Sequence, residues 1–416
     1  MALKLQKIIL QSNSSRLFSI RQVTQFCINK KLSGVDGKTS LTFSDRFELN
    51  EVLKVKLNTW LPQSLKNVTV LRNNGSSENF QISTISDRVW QTLINLAVQP
   101  AHEAIFHPRN FGFRNVYSIY HVQKTILCNL NNSSFGDQKR VLKLDLSEKI
   151  FQYSKSFLLE NILLLRSIKF SLNRFLSRNV ILQFFSQENI SFGIINLFFN
   201  VLLHGIEDIH ECVRFGSSVL FFLKPKDDEK FLYNSVVSFL LIRGFNLEDI
   251  YFKAFLSFDG FDFLGWHFRV CMGNGNEIIS TPSDTDFQEF LFRIKRIINN
   301  SNYGSAIKVS KLYPIVKKWR LYHKFTSLKG SKFSLFFMKR RAFKSFSKEA
   351  RQDFFSTKRL VNKCFYTLSS LDKATLNDKY QTLDYYGHLF FVAYLYDSNS
   401  ISCRCIHCGM RLVSRI

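Results

Sequence analysis

A predicted strand hairpin near the middle of the chain restricts it to folds that contain a sheet. Residues 213–223 place Gly216-Ser217-Ser218 between two apolar runs, a pattern typical of two strands joined by a tight turn. Residues 141–146 predict another short strand, which ends near the carboxylate of Asp145. Strands of this length must pair with one another and be covered by other elements to be stable.

A second hairpin is predicted nearer the start of the chain. Val68–Leu71 and Phe80–Ile85 alternate apolar and polar side chains around Asn73-Asn74-Gly75, a strong turn signal. Ser86-Asp87 then predicts the N-terminal cap of a helix over Arg88–Ala104.

Helical segments separate the remaining predicted strands. Residues 155–185 and 194–209 predict helices, and Phe258–Val270 predicts a hairpin that turns near Asp259-Gly260. Strands that alternate with helices in this way indicate an α+β fold.

From Pro282 onward the sequence predicts only helices. Apolar residues between Phe287 and Ile298 follow helical spacing, and Pro282 is predicted in the first helical turn. The tract Lys308–Arg359 is rich in Lys and Arg, and its helical spacing predicts that most of its aromatic residues are core. The interleaved aromatic residues are Trp319, Tyr322, Phe325, Phe333, Phe336, Phe337, Phe343 and Phe346.

The charge balance favours a polyanionic partner. The 416 residues include 57 Lys and Arg against 32 acidic residues, a net charge of +25. Each cation that contacts a phosphate releases counterions, so nucleic acid and an anionic membrane surface are the two candidates. The apolar stretches Phe192–Leu203 and Phe157–Leu165 are shorter than the roughly 18 to 20 residues of a membrane span. We therefore expect no membrane partner.

The cysteines predict no metal centre. Most are single residues typical of reduced core thiols, and only Cys403, Cys405 and Cys408 cluster. A structural zinc site needs four ligands. Cys405 and Cys408, with His407 between them, are therefore a weak zinc candidate, and we expect neither a metal nor a cofactor.

Four collinear segments of the chain resemble the reverse transcriptase/maturase proteins encoded by group II introns. The first 21 residues of the chain are basic and contain no acidic residue, which is also typical of a transit peptide. The resemblance favours the family's N-terminal extension for this part of the chain. The segments are Leu5–Gln25 with Gly34-Val35-Asp36-Gly37; Ile85–Phe106 with Phe111-Gly112-Phe113-Arg114; Phe261-Asp262-Phe263-Leu264-Gly265-Trp266; and Leu312-Tyr313-Pro314-Ile315-Val316 with Trp319, Tyr322 and His323.

The resemblance implies a right-hand, polymerase-like fingers and palm with the reverse transcriptase fold, followed by an α-helical thumb or maturase (X) domain. We accordingly expect four parts. They are an N-terminal helical extension (1–35), degenerate fingers and palm (36–275), a helical thumb (280–370) and a truncated C-terminal segment with a Cys-x-x-Cys remnant (371–416).

The resemblance also implies a polymerase centre without its metal ligands. The family places one Asp on the first palm strand, matched here by Asp145, and two more in a Tyr-Ala-Asp-Asp turn, matched here by Phe215-Gly216-Ser217-Ser218. Two-metal polymerisation needs paired carboxylates, and neutral hydroxyls bind Mg²⁺ less well. We therefore expect no polymerase activity. Asp227 and Asp228 are alternative ligands, but they follow the hairpin's second strand instead of occupying its turn.

The function implied is that of an RNA-binding maturase that stabilises a folded group II or group III intron. Alternatives are a reverse transcriptase with unusual metal ligands and an RNA-binding relic without a splicing role. Intron RNA is the expected partner, with other splicing proteins as further candidates. The predicted RNA contacts are Lys4, Lys7, Arg16, Arg21, Arg88, Arg109, Arg114, Lys317, Lys318, Arg320, His323, Lys324, Lys339, Arg340, Arg341 and Lys344.

The expected location is a plastid, with a mitochondrion as second choice. The chain has 44 Phe but 17 Gly and 6 Pro, a skew that follows A+T-rich codons and is common in organelle genomes. In this respect it resembles the maturase-like proteins of euglenoid plastids.

Overall fold

The chain forms two compact units, each with its own core. The computed structural model describes residues 1–26, 32–71, 77–114, 117–131, 136–146, 153–177, 194–245, 252–271, 277–349 and 353–369. Unit 1 comprises residues 1–122, 142–223 and 227–253, and unit 2 comprises residues 123–141, 224–226 and 254–416. The predicted part 371–416, its cysteines and the turn Asn73-Asn74-Gly75 lie outside the described residues.

Helices and strands alternate through the first 245 residues. The helices are α1 (Ala2–Gln11), α2 (Asn13–Arg21), α3 (Phe43–Lys56), α4 (Ile85–Glu103), α5 (Ile119–Asn129), α6 (Lys155–Asn161), α7 (Arg166–Ser177), α8 (Ile195–Leu202) and α9 (Glu229–Ile242). The strands are β1 (Lys66–Leu71), β2 (Ser77–Ile82), β3 (Arg140–Asp145), β4 (Cys212–Phe215) and β5 (Ser218–Leu223).

After residue 245, the described residues form four strands and four α-helices. The strands are β6 (Phe252–Leu256), β7 (Phe261–Phe263), β8 (Trp266–Cys271) and β9 (Glu277–Pro282). The helices are α10 (Asp284–Ile298), α11 (Ser305–Tyr322), α12 (Lys332–Glu349) and α13 (Phe354–Ser369). The mixed α and β composition predicted from the sequence is confirmed, and so are the helices after residue 284.

The N-terminal helices belong to the core of unit 1. Leu10 of α1 and Ile20 of α2 are buried in the same cluster as Trp90 and Leu93 of α4. Arg16 is buried as well, and its guanidinium donates to Asn50 Oδ1 at 3.1 Å and to the Gln11 carbonyl at 2.8 Å. The four-part division expected from the sequence stays a prediction.

Helix α4 begins three residues before the predicted start. Thr84 caps it, because its hydroxyl accepts from the backbone N–H of Asp87 at 3.2 Å. The Asp87 carboxylate accepts from Trp60 Nε1 at 2.8 Å and from the Gln63 N–H at 3.1 Å. Burial raises the pKa of Asp87, against the opposing effect of these hydrogen bonds. Asp87 therefore ties the helix start to the segment before β1 and is not itself the cap.

A four-stranded sheet carries the central hairpin in the order β4-β5-β3-β6. Strands β4 and β5 are antiparallel, with Cys212 opposite Phe221 and Phe215 opposite Ser218. The two-residue turn is Gly216-Ser217, and Gly216 has a φ of 63°. The hairpin and the strand ending at Asp145 are confirmed. The hairpin of β1 and β2 is also confirmed, with its bounds within three residues of the predicted ones.

The three-stranded sheet β7-β8-β9 corrects two predictions. The hairpin turns at Leu264-Gly265, which take positive φ of 51° and 77°, and not near Asp259-Gly260. Pro282 ends strand β9 opposite Trp266 instead of starting a helix. Ser283 caps α10, because its hydroxyl accepts from the Asp286 N–H at 3.4 Å.

Helices α10 to α13 form the core of unit 2. Phe290 of α10 stacks on Trp319 of α11 with ring centroids 4.0 Å apart. Leu312 and Val316 on α11 and Phe346 on α12 are fully buried beside them. None of the helices that the structure describes combines the length and the apolar character needed to cross a bilayer.

His102 near the end of α4 makes the stability of unit 1 depend on pH. Its Nε2 accepts from the Leu163 N–H at 3.0 Å, so the ring must be neutral for this hydrogen bond to form. Burial, with a smaller contribution from His204, lowers the pKa of His102 to about 4. The unfolded chain, with an ordinary imidazole, therefore binds more protons than the folded chain between about pH 6.5 and 4.

We predict that unfolding free energy falls as pH is lowered through this window, and that His102→Gln reduces the fall by roughly 1 to 3 kcal/mol. The Gln side chain keeps an acceptor for Leu163 but does not titrate. Urea unfolding at pH 7 and pH 4.5 measures the difference. Identical pH dependence in the two proteins would show that His102 is not the titrating group.

Candidate functional site

The end of β3 and the central hairpin turn meet at one edge of the four-stranded sheet. The Ser218 hydroxyl lies 3.4 Å from Asp145 Oδ1, and the Leu146 N–H donates to the Ser217 carbonyl at 3.1 Å. Asp145 is exposed at this point. The carboxylate and the serine turn that the sequence singled out 72 residues apart are therefore neighbours.

A buried ion pair holds the hairpin from behind. Arg214 and Glu207 are both fully buried, and Arg214 Nε donates to Glu207 Oε1 at 2.5 Å. The same guanidinium donates to Asn200 Oδ1 at 3.1 Å and contacts the Gly216 carbonyl at 3.4 Å. Arg214 thus fixes the backbone of the turn through its own side chain.

A loop of four residues, 110–113, supports the same turn. Asn200 Nδ2 donates to the Gly112 carbonyl at 2.9 Å, and the Phe111 N–H donates to the Arg214 carbonyl at 2.9 Å. A Cβ on Gly112 would lie 2.0 Å from the Gly216 nitrogen, so only glycine allows this approach.

An aromatic pair lies over the turn. Phe113 has a positive φ of 57°, and its ring centroid lies 5.5 Å from that of Phe215. A Cβ on Gly216 would be 2.6 Å from the Phe113 ring, so the glycine is required on this side too. A non-glycine residue at positive φ costs free energy, and the contacts around it must hold it there.

Sequence reasoning missed three residues behind the turn. They are Glu207, Asn200 and Asn110, whose Nδ2 donates to Asn200 Oδ1 at 3.2 Å. One signal pointed to them: Arg214 stands in an otherwise apolar strand, and a buried guanidinium requires a carboxylate and further acceptors. The sequence does not reveal which acidic residue pairs with Arg214, because Glu207 is one of several carboxylates near residue 210.

The donors at the turn fit a two-metal centre poorly. They comprise the Asp145 carboxylate and the neutral hydroxyl of Ser218, whereas Mg²⁺ in such centres is held by paired carboxylates. Asp227 lies 3.2 Å from His210, and Asp228 caps α9 by accepting from the Lys230 N–H. Within the described residues, no group of three or more His, Cys, Asp or Glu could hold a metal ion.

In unit 2, residues of the fourth resembling segment form a joint around the half-buried Asp286. Its Oδ2 accepts from Trp319 Nε1 at 2.8 Å and lies 2.8 Å from His323 Nε2. The Tyr322 hydroxyl donates to the Leu264 carbonyl at 2.5 Å, and its ring stacks on Trp266. Burial lowers the pKa of His323, against the opposing effect of Asp286.

Four of the predicted RNA contacts are corrected by this arrangement. Arg16, Arg114, Arg320 and His323 are buried, so their polar atoms cannot reach a phosphate. Arg114 Nε donates to Glu103 Oε1 at 2.6 Å, and Arg320 donates to the His323 carbonyl at 2.6 Å. The three arginines therefore donate to oxygen atoms inside the protein.

The other predicted contacts reach the surface. Arg88 is half-buried and donates to the Leu32 carbonyl at 2.7 Å, and Arg109 lies 3.9 Å from Glu211. Arg341 is exposed and donates to Asn299 Oδ1 at 3.1 Å. Lys324 and Lys339 are half-buried, and the exposed ones are Lys4, Lys7, Arg21, Lys317, Lys318, Arg340, Arg341 and Lys344.

The stretch of unit 2 that follows Glu289 carries only positive charges as far as Glu349. No acidic residue occurs between Glu289 and Glu349, although cations recur throughout that stretch. Lys317 and Lys318 on α11 and Lys344 on α12 are exposed there. Such a surface attracts a polyanion.

The chain is similar in sequence to several known proteins. Residues 1–53 match the family described as the N-terminal domain of reverse transcriptase. Maturase-like protein 1 of Euglena gracilis is 45% identical over 414 residues, covering 99% of this chain and 90% of that protein. Maturase-like protein 1 of Euglena longa is 44% identical over 420 residues, covering 98% and 91%. The structure of telomerase from Candida albicans in complex with an RNA fragment gives a TM-score of 0.33 at 11% identity, over 80% of this chain and 67% of that one.

The joint around Asp286 yields a stability prediction. We expect Asp286→Ala to lower the free energy of unfolding by about 2 to 4 kcal/mol, because it leaves the buried Trp319 and His323 nitrogens without an acceptor. Asp284→Ala is the matched control, since it also removes an acid from the first turn of α10 but from an exposed position. Its expected cost is below about 1 kcal/mol. Equal losses in denaturant unfolding would mean that the joint contributes nothing beyond the helix terminus.

Proposed function

Because the chain belongs to the family of the Euglena maturase-like proteins, we propose that it is an intron maturase, an RNA-binding protein that assists splicing. The observation that carries the proposal is the 45% identity to Maturase-like protein 1 over nearly the full length of both chains. The finer proposal is that it binds a group II or group III intron in a plastid, with a mitochondrion as second choice.

In this proposal, the RNA carries out both transesterifications and the protein stabilises the folded intron. Lys and Arg side chains neutralise phosphates that repel one another when the RNA compacts. Such a role requires no metal-binding carboxylates in the protein. The serine turn at Ser217 and Ser218 is compatible with it, as is the absence of polymerase activity that we propose.

The proposed RNA contacts are the accessible cations. They retain the sequence prediction without its four buried members: Lys4, Lys7, Arg21, Arg88, Arg109, Lys317, Lys318, Lys324, Lys339, Arg340, Arg341 and Lys344. We expect the cations of unit 2 to contribute most to RNA binding, because residues 290–348 contain no acidic residue.

We predict that RNA binding weakens steeply with salt and that Lys317→Gln with Lys318→Gln makes the dependence shallower. The slope of log K against log salt should decrease in magnitude by about 1 to 2, because two phosphate contacts are lost. Lys54→Gln with Lys56→Gln on α3 is the control, since both lysines are exposed and neither is a proposed contact. An unchanged slope in the α11 variant would remove this surface from the proposal.

A second candidate function is a reverse transcriptase with unusual ligands. The observation in its favour is that Asp145 remains exposed beside the hairpin turn, where the Ser218 hydroxyl meets it. We predict no primer extension with Mg²⁺ or Mn²⁺, because one carboxylate cannot hold two ions. Robust extension that disappears on Asp145→Ala would establish the enzyme and refute the inactive centre.

Splicing itself tests the maturase proposal. The protein is crosslinked to organellar RNA and the bound RNA is sequenced, and splicing of the recovered introns is then measured after the protein is depleted. Unspliced precursors of the bound introns should accumulate. Unchanged splicing would leave an RNA-binding protein without a splicing role.

A further inference from the structure

The outer face of helix α12 carries aromatic rings followed by cations. Phe333, Phe336 and Phe337 are 72%, 59% and 45% exposed in its first half. In its second half the exposed residues are Arg340, Arg341, Lys344 and Lys348. With 3.6 residues per turn, these seven positions lie on one side of the helix.

The exposed rings are not needed for the core of unit 2. Leu335, Met338, Ala342 and Phe346 lie on the opposite side of α12 and are buried among α10, α11 and α13. That stripe alone has the spacing that packs a helix onto a core. The helical spacing of the tract predicted that most of its aromatic residues are core, which is wrong for these three, and their exposure requires another explanation.

The three rings meet at steep angles and do not stack on one another. Phe333 and Phe337 meet edge to face, with centroids 4.6 Å apart and planes at 78°. Phe336 and Phe337 meet at 74° and 6.0 Å. Because the rings are exposed and do not stack on one another, much of their aromatic surface is accessible, and a nucleic acid base can stack on such a surface.

The charge around the rings selects a polyanion. The next exposed residues along the face are the cations beginning at Arg340, one helical turn or about 5.4 Å from the rings. Helix α12 contains no acidic residue before its last residue, Glu349. A helix that lies on a membrane separates apolar and basic residues onto opposite sides. Here both kinds follow each other along the same side.

We infer that this face of α12, from Phe333 to Lys344, binds unpaired nucleotides of RNA, with bases stacked on the three phenylalanines and phosphates held by Arg340, Arg341 and Lys344. The inference rests on the proposed function and specifies that unpaired nucleotides are the part of the RNA recognised by α12. A duplex hides the faces of its bases in the stack, so the rings select single-stranded segments.

The test replaces the rings while it keeps their apolar character. The variant Phe333→Leu, Phe336→Leu and Phe337→Leu cannot stack on a base. Phe43→Leu with Phe47→Leu on α3 is the matched control, because those rings are also exposed, at 78% and 61%. Fluorescence anisotropy measures binding of full-length protein to a short unstructured oligoribonucleotide and to a blunt RNA duplex, and thermal unfolding checks that each variant is folded.

We expect the α12 leucine variant to bind the single strand about tenfold to a hundredfold more weakly, with duplex affinity and salt dependence unchanged. Arg340→Gln with Arg341→Gln should weaken both ligands and reduce the salt dependence. The control on α3 should behave like the unaltered protein. Photocrosslinking of an oligoribonucleotide carrying 5-iodouridine should map to α12 and disappear in the leucine variant.

Wild-type affinity of the leucine variant for the single strand would overturn the inference, and so would an equal loss for duplex and single strand. Loss of sedimentation with phosphatidylserine vesicles, with RNA binding unchanged, would overturn it in favour of a membrane contact. If the leucine variant is normal while the unaltered protein still binds intron RNA, only this inference fails. If the unaltered protein binds no RNA and depletion leaves splicing unchanged, the proposed function fails as well.

Discussion

The buried ion pair of Arg214 and Glu207 fixes the part of the protein where strand β3 and the central hairpin meet. Both side chains are removed from water, and the guanidinium also reaches Asn200 and the carbonyl of Gly216. A pair of this kind contributes little more than apolar residues of similar size would, but removal of either partner costs about 3 to 5 kcal/mol because a charge is left buried. The position of the turn is therefore specified strongly even though the turn itself holds no charge.

That constraint explains how the serine turn is held in place without the help of its serine side chains. The Arg214 guanidinium contacts the Gly216 carbonyl, and Gly112 and the Phe113 ring pack closely against Gly216. None of these contacts uses the side chain of Ser217 or Ser218. The contacts that hold the turn are thus independent of any metal bound beside it. In our proposal the protein uses this scaffold without metal chemistry.

The basic residues of unit 2 divide into two groups by burial. His323, at the end of α11, contacts Asp286 of α10, and Arg320 is buried with its guanidinium on the His323 carbonyl. Lys317 and Lys318 on α11 are exposed to water. The aromatic residues divide in the same way, since Trp319 packs in the core and Phe333 and Phe336 do not. In our proposal the exposed basic and aromatic residues bind RNA, and the buried ones stabilise the fold.

The sequence by itself determined what depends on neighbours along the chain. The hairpin over residues 213–223, the strand ending at Asp145, the helices after residue 284 and the net charge follow from local periodicity and composition. Tertiary structure decided which cations are internal, where Leu264-Gly265 turns and which face of α12 is covered. Those outcomes depend on partners far away in sequence, such as Asn50 for Arg16 and Glu103 for Arg114. A helical stripe shows that one side will be buried, but only the packed neighbours decide whether a second stripe, such as that of Phe333 and Phe337, stays in water.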